Sequence, residues 1–148
     1  TKIFEGWFDF LSYLKLSAEW DFKAIILNST ANLTFRLMLD MLKERELIDL
    51  YLDNDVTGEK CTSNFIRVTQ LYQYCRENGL ETNWDLKALR GSRDKVGKLL
   101  FNLKVRPSEV NEIWRIQSGV TDQRSNYVGF VDVNAFLKSR VLEKKILD

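Results

Sequence analysis

Residues 91–103 read GSRDKVGKLLFNL, and the fold predicted for the chain depends on this segment. Its apolar residues fall at positions i, i+3, i+4 and i+7 of a helix that Ser92 would open, so they form one stripe. The stripe consists of Val96, Leu99, Leu100 and Leu103. The opposite face carries basic and amide side chains, as does the recognition helix that a helix-turn-helix module inserts into a DNA groove. We therefore expect a recognition helix here, although most amphipathic helices with lysines are simply solvated.

The segments on either side of this helix predict a winged helix. In chain order, the predicted elements are a helix at Asn64–Asn78, a helical turn at Trp84–Arg90, the helix at 91–103, strands at Val110–Ile116 and Tyr127–Val131, and a final helix at Val133–Leu147. Pro107 cannot continue the preceding helix, and residues 117–126 form a polar loop too long for a tight hairpin. We therefore expect residues 61–148 to form a winged-helix domain with a two-stranded wing and a C-terminal helix.

The first 60 residues predict a helical docking segment. Ile3–Leu16 is rich in aromatic side chains and predicts a helix that docks on neighbouring sequence, because so apolar a helix is not stable alone in water. An extended connection at Ser17–Leu27 leads to a long helix at Ala31–Tyr51, which Thr30 would cap. The polar loop Asp53–Gly58 is the best candidate for a domain boundary. The expected fold class is mainly α with a minor β component.

Charge is balanced over the whole chain but unevenly placed along it. Lys and Arg number 22 against 21 Asp and Glu, a net charge of +1 that argues against indiscriminate binding of polyanions. Residues 1–60 hold 7 basic and 11 acidic residues, whereas residues 61–148 hold 15 and 10. The asymmetry fits two surfaces with different partners, and it equally fits chance variation on solvated faces.

Composition excludes several chemical classes. The chain has no histidine and two cysteines, Cys61 and Cys75. Structural zinc needs four ligands of the cysteine and histidine type, and Ser–His or Cys–His nucleophilic pairs need a histidine. No apolar run approaches the length of a membrane span. We therefore expect a chain with no catalytic residues, no metal, no cofactor and no membrane contact.

Two short motifs resemble ligand-binding loops but depart from them. Gly91–Lys98 has five residues between its glycines and a leucine after the lysine, whereas the Walker pattern has four residues and then Ser or Thr. Asp53–Gly58 begins like a calcium loop, but Asn64 stands where that loop needs a bidentate Glu, and Lys60 is a cation beside it. We interpret Asp53–Gly58 as a polar interdomain loop.

Basic, amide and aromatic side chains around the predicted recognition helix form the candidate nucleic-acid site. Cations bind phosphates regardless of base sequence, amides can reach base edges, and an aromatic ring can stack on an unpaired base. The candidate residues are Arg90, Arg93, Lys95, Lys98, Phe101, Asn102, Lys104, Arg106, Arg115 and Arg124. Phe101 faces away from the apolar stripe, so contact with a base and contact with a neighbouring domain are equally good interpretations.

Several segments resemble a known family. The run FDFLSYLKLSAEWDFKAIILNSTANLT, residues 8–34, is similar to the segment that follows the helicase core in phage and plasmid primase-helicases. The later runs LYQYCRENGL, KVGKLLFNL and IWRI with YVGF resemble the winged helix that ends these proteins. The family's connector carries a proline near the position of Ile26, which this chain lacks. The resemblance implies the C-terminal region of a multidomain replication protein, with a primase-polymerase and a superfamily 3 helicase upstream.

What the resemblance implies is a non-catalytic region that assists DNA binding and assembly with the helicase ring in the host cytoplasm. The implied partners are single-stranded or forked DNA, the upstream helicase and primase-polymerase domains, and further copies of the parent protein. Two alternatives stay open: a docking or oligomerisation module that binds no DNA, and a stand-alone winged-helix regulator. A regulator would bind palindromic DNA as a symmetric dimer, whereas the replication protein would show little sequence preference.

Overall fold

The structure, a computed structural model, describes residues 1–123, in which four short strands form one parallel sheet. The strands are β1 (Lys2–Phe4), β2 (Ala24–Ile26), β3 (Ile48–Tyr51) and β4 (Val120–Asp122). Their spatial order is β2-β1-β3-β4, so β1 pairs with β2 on one side and with β3 on the other. Apolar residues dominate the two inner strands, as is typical of parallel strands covered on both faces.

Helices make the connections between these strands, because parallel neighbours cannot be joined by a tight turn. The α-helices of the described residues are α1 (Trp7–Ser17), α2 (Phe35–Lys43), α3 (Val56–Glu77), α4 (Lys95–Asn102) and α5 (Pro107–Ile113). Short 3₁₀ turns lie at Thr30–Asn32 and Lys87–Leu89. Thus α1 links β1 to β2, α2 links β2 to β3, and the remaining helices lie between β3 and β4.

Successive side chains of the inner strands enter two different apolar layers, as the period of a strand requires. Ile3, Ile48 and Leu50 are at most 1% exposed and pack into the main core with residues of α2 to α5. On the opposite face, Phe4 stacks on Tyr51 with ring centroids 5.0 Å apart. Aromatic rings from α1 and the chain after it surround this pair. The sheet is therefore covered by α1 on one face and mainly by α2 and α3 on the other.

The predicted winged helix is wrong, because the described residues form an α/β fold around a parallel sheet. The predicted strand Val110–Ile116 lies largely in α5. Pro107 begins that helix in its first turn, where the missing N–H costs no hydrogen bond. The predicted strand Tyr127–Val131 and the predicted helix Val133–Leu147 lie outside the described residues.

The mainly helical fold expected of the first 60 residues is also wrong. The predicted helix Ile3–Leu16 contains β1 as well as most of α1, with Gly6 between them. The predicted extended connection contains β2. The predicted helix Ala31–Tyr51 contains α2 and β3, and Arg45 interrupts it with a positive φ of 56°, a left-handed conformation that ends a helix.

Two predicted helices exist with different bounds. The helix predicted at 91–103 is α4, and its cap is Asp94 rather than Ser92, since Asp94 Oδ1 accepts a hydrogen bond from the Gly97 N–H at 2.9 Å. The helix predicted at Asn64–Asn78 is the later part of α3, which begins inside the expected boundary loop. Residue 60 lies within α3, and separate roles for the chain before and after it stay a prediction.

The outer face of α1 is apolar and exposed to solvent. Trp7, Phe8 and Leu11 are 57%, 76% and 50% exposed. That this segment docks on neighbouring sequence stays a prediction. Within residues 1–123, none of the helices combines the length and the apolar character needed to cross a membrane.

A hydrogen bond from Tyr74 connects α3 to α5. The Tyr74 hydroxyl donates it to Glu109 Oε2 at 2.7 Å. This bond, together with burial and the charges of Glu109 and Glu112, raises the pKa of Tyr74 from 10.0 to about 12. Because the folded state holds the proton more tightly, the stabilisation is complete below the unfolded pKa and is lost as the pH rises through the folded pKa.

We expect Tyr74→Phe to lower the free energy of unfolding by about 1 kcal/mol at neutral pH, the net worth of one hydrogen bond. The difference between the two proteins should shrink as the pH rises from about 10 to about 12. Denaturant titrations of both proteins across this range measure it. A difference that stays constant with pH would contradict the assigned hydrogen bond.

Candidate functional site

The order of the strands indicates at which end of the sheet a ligand is expected to bind. The chain moves from β1 to β2 in one direction and then returns past β1 to β3 on the other side. In open parallel sheets, ligands bind outside the carboxyl ends of the strands where the connections diverge in this way. Here that position lies at the carboxyl ends of β1 and β3, which are neighbours in the sheet.

Acidic residues follow both strands at this edge. Glu5 comes directly after β1, and Asp53 comes two residues after β3. The Glu5 Oε2 atom accepts a hydrogen bond from the Asp53 N–H at 2.7 Å, although the residues are 48 apart in sequence. The Glu5 carboxylate is thereby fixed against the loop after β3.

Asp55 belongs to the same loop and caps the long helix that follows. Its Oδ1 atom accepts a hydrogen bond from the Gly58 N–H at 2.7 Å. A Cβ atom on Gly58 would lie 2.0 Å from the Asp53 carbonyl oxygen, so glycine is required at this close approach. The first turn of α3 thus packs directly on the Asp53 backbone. We call Glu5, Asp53 and Asp55 the acidic edge.

The half-buried Cys61 thiol of α3 lies beside the acidic edge. Burial is the largest cause of its raised pKa, a hydrogen bond with Thr30 lowers it, and the negative charges of Glu5 and Asp55 raise it further. Both carboxylates therefore lie close enough to this thiol to raise its pKa. A thiol whose pKa is raised stays protonated at neutral pH and is a poor nucleophile. The carboxylate oxygens, rather than the thiol, are therefore the groups that this site offers to a ligand.

The acidic edge fits a cation that takes few ligands from the protein. Its carboxylates are the hard oxygen ligands that Mg²⁺ and Mn²⁺ prefer. Within the part of the chain that the structure describes, no three Asp, Glu, Cys or His side chains lie close enough to form a metal cage. Mg²⁺ commonly binds one or two carboxylates and completes its shell with water and substrate phosphates. The arrangement suits that kind of site and does not suit a closed structural one.

The predicted nucleic-acid site is only partly brought together. Arg93 and Lys95 line one groove at the start of α4. The Lys98 Nζ atom instead donates a hydrogen bond to the Ala88 carbonyl at 2.9 Å. Phe101 is 83% exposed, as its position opposite the stripe predicted.

The other predicted residues are spread along the chain around α4 and α5. Arg90 lies before α4, Asn102 ends it, Lys104 and Arg106 lie between the two helices, and Arg115 follows α5. Arg124 lies outside the described residues. A role for these residues in binding nucleic acid stays a prediction.

The acidic edge is what sequence reasoning missed. The apolar run LIDLYL is followed by the acidic sequence DNDVTG, which begins at Asp53. The run KIF is followed by Glu5 and a glycine. An acidic residue one or two positions after each of two short buried strands is the signal that could have revealed the site. Glu5 falls inside the predicted helix Ile3–Leu16, and Asp53 falls in the predicted interdomain loop.

Gly58 gives a direct test of this geometry. We expect Gly58→Ala to lower the free energy of unfolding by about 3 kcal/mol, since its methyl group would overlap the Asp53 carbonyl. Gly119→Ala is the matched control, because a Cβ there would meet Leu47 at 3.7 Å, an ordinary contact. Thermal and denaturant unfolding of both variants measure the effect. Equal stability of the two variants would contradict the close packing of α3 on the loop.

Comparison with known proteins gives one match. The sequence profile of the family described as Toprim-like matches residues 2–86, more than half of the chain. The matched region contains β1, β2 and β3 and all three residues of the acidic edge. Neither the curated proteins nor the solved structures give a match.

The match confirms one part of the resemblance found in the sequence and leaves the rest without support. The Toprim-like domain is a primase-type fold, and it indicates a primase or nucleic-acid-processing role, consistent with a replication protein. Nothing in the comparisons supports a helicase or a phage origin. The segment LYQYCRENGL, assigned above to a winged helix, lies in α3 and the residues after it. From the matched span, which covers the central strands and their acidic edge, it follows that the chain belongs to the Toprim-like family.

Proposed function

We propose that this chain processes nucleic acid by divalent-cation-dependent phosphoryl chemistry at the acidic edge. The observation that carries the proposal is the hydrogen bond from the Asp53 N–H to Glu5 Oε2, at 2.7 Å, where β1 and β3 end side by side. It fixes the Glu5 carboxylate against the backbone of Asp53, an acidic residue distant in sequence, at the position where parallel sheets bind ligands. The primase-type fold supports nucleic acid as the substrate class.

The chain's own residues supply position and charge. The hydrogen bond to the backbone holds Glu5 through one oxygen, and a carboxylate so held retains lone pairs on its other oxygen for a cation. Asp55 is held in the same way by the Gly58 N–H. Carboxylates fixed before the ligand arrives lose little entropy on binding it.

The negative charge of the edge also sets what can bind there. The carboxylates of the edge repel a bare phosphate, so a phosphodiester approaches the edge only when their negative charge is compensated. A divalent cation bound there would compensate it and polarise the phosphoryl oxygen. The edge thus selects for phosphate and cation together, which is the requirement of phosphoryl transfer.

A docking module is the second candidate function. The exposed apolar surface of α1, formed by Trp7, Phe8 and Leu11, favours it, because exposed apolar patches often mark contacts with other proteins. The partners inferred from the sequence, DNA and further domains of the same protein, are compatible with both functions. A non-catalytic docking module would need neither the cation nor the acidic edge.

Removing single charges tests the cation site. Glu5→Gln keeps an oxygen that can accept the Asp53 N–H while it removes the charge, and Asp53→Asn is its partner variant. We expect each to weaken Mn²⁺ binding by roughly tenfold or more, because affinity for hard cations follows the number of charged ligands. Asp40→Asn, at an exposed position of α2, is the matched control and should bind like the unmodified chain. Isothermal titration with Mn²⁺ measures the affinities.

The same variants test the reaction. We expect the unmodified chain to extend or cleave a labelled single-stranded oligonucleotide supplied with nucleoside triphosphates and Mg²⁺, and Glu5→Gln to lose at least a hundredfold in rate, about 2.7 kcal/mol. Product analysis on denaturing gels measures the rate. If Glu5→Gln binds Mn²⁺ and turns over as well as Asp40→Asn does, the acidic edge is not the site and the docking function is favoured.

A further inference from the structure

We propose that a groove between α3 and α4 holds the phosphate backbone of the nucleic-acid strand that reaches the acidic edge. We call it the α3–α4 groove and define it by Lys60, Asn64, Arg67, Arg93 and Lys95. The inference rests on the proposed function, since it takes nucleic acid as the substrate. It adds the path along which the strand lies.

Two neighbouring depressions in the surface make up this groove. One is lined by residues of the 3₁₀ turn and the start of α2 together with Arg93 and Lys95. The other is lined by residues of the first three turns of α3, including Lys60 and Arg67. Asn64 and Asp94 line both depressions. The two depressions are therefore neighbours that meet at these two side chains.

The groove begins beside the acidic edge. Val56 and Glu59 line the second depression, and both belong to the first turn of α3, which Asp55 of the acidic edge caps. A phosphodiester bound at the acidic edge would thus have its neighbouring phosphates at the mouth of the groove.

The cations of the groove are positioned without being neutralised. Lys60, Arg67, Arg93 and Lys95 are exposed, and within residues 1–123 the ion pairs involve only Lys2 and Lys23 among the lysines and arginines. The Arg67 guanidinium carbon lies 5.6 Å from the centroid of the Trp114 ring. The Lys95 Nζ atom lies 5.9 Å from the centroid of the Phe35 ring. Aromatic faces orient these two cations and leave their positive charge available to an anion.

Two carboxylates also line the groove, and they do not cancel its charge. Asp94 is engaged as the cap of α4 through the Gly97 N–H at 2.9 Å. Glu59 is exposed at the rim, next to Lys60. The four cations outnumber the two carboxylates, so the groove carries a net positive charge beside the negative acidic edge. This arrangement fits an anionic strand, one phosphate of which is held at the edge by a divalent cation.

The spacing of the cations favours a chain of phosphates over a single anion. Lys60 and Arg67 are seven positions apart on α3, about 10 Å along the helix axis. A free phosphate or a nucleotide could reach one of them, whereas a strand presents successive phosphates to both. Such contacts bind independently of base sequence.

A salt titration of strand binding tests the inference on the full 148-residue chain. The groove variant is Lys60→Gln with Arg93→Gln, and neither side chain makes a described hydrogen bond or ring contact that the fold needs. The matched control is Lys15→Gln with Lys87→Gln, two exposed cations outside the groove, so that both proteins carry the same net charge. The probe is fluorescently labelled oligothymidylate, and its anisotropy is measured at increasing NaCl concentrations in EDTA and in Mg²⁺.

We expect the groove variant to bind about tenfold more weakly at low salt than the control does. The slope of log affinity against log salt should fall in magnitude by about 1.4, which corresponds to two lost phosphate contacts of a single strand. The conservative variant Lys60→Arg with Arg93→Lys should restore the binding, and its recovery separates lost charge from lost folding.

Several outcomes would overturn the inference. The inference is wrong if the unmodified chain does not bind oligothymidylate at low salt, or if the groove variant and the control bind it equally well. It is also wrong if the conservative variant does not restore binding. Glu5→Gln separates this inference from the proposed function. If the groove variant loses affinity while Glu5→Gln retains metal binding and turnover, the groove binds nucleic acid and the acidic edge is not its catalytic site.

Discussion

The parallel pairing of β1 with β3 is the constraint on which the rest of the structure depends. It aligns Lys2 with Asp49, Ile3 with Leu50 and Phe4 with Tyr51. The pairing creates two buried faces and makes both strands end at the same edge. Only because they end together can Glu5 accept the hydrogen bond from the Asp53 N–H. The acidic edge is therefore a consequence of strand register, and a slip of one residue would move Phe4 and its neighbours to the opposite face.

Interactions at both ends of the sheet reinforce this register. At the amino end, the Lys2 ammonium donates a hydrogen bond to Asp49 at 2.8 Å and lies 5.4 to 5.7 Å from the centroids of three aromatic rings. Partial burial alone would lower the pKa of Lys2, but the hydrogen bond and charge of Asp49 raise it above its usual range. At the carboxyl end, Gly58 lets α3 start against the Asp53 carbonyl. Opposite ends of one strand pair thus hold the ammonium and the acidic edge.

The elements that sequence reasoning located are those whose periodicity shows on a single helix. The stripe of Val96 and Leu99 marks α4, and both are buried. The later part of α3 was located for the same reason, and the helical turn predicted at Trp84–Arg90 contains the 3₁₀ turn Lys87–Leu89. The capping residue of α4 was not located, because Ser92 and Asp94 are both good caps and only the hydrogen bond to Gly97 decides between them.

The sheet could not be found in this way. Its strands have three or four residues, too few to show a period, and strands buried on both faces carry no alternation of polar and apolar residues. Apolar residues of β1 and α1 therefore merge into one apparent helix, as do those of α2 and β3. The acidic edge was missed for the same reason, since Glu5 and Asp53 can be recognised as one site only when two strands are known to end side by side. The basic residues were chosen by charge alone, and charge does not reveal that Arg93 and Lys95 share a groove with α3 while Lys98 is bonded to a carbonyl.

We propose that strand pairing builds a cation site at the acidic edge. The most direct measurement is a crystal structure of the chain grown with Mn²⁺ and examined for anomalous scattering at the manganese absorption edge. We expect a peak at the carboxyl ends of β1 and β3, with carboxylate oxygens of Glu5 and of Asp53 or Asp55 at roughly 2.1 Å, the metal–oxygen distance of Mg²⁺ sites. An acidic edge without such a peak at saturating Mn²⁺, or strands that do not pair in parallel, would contradict it.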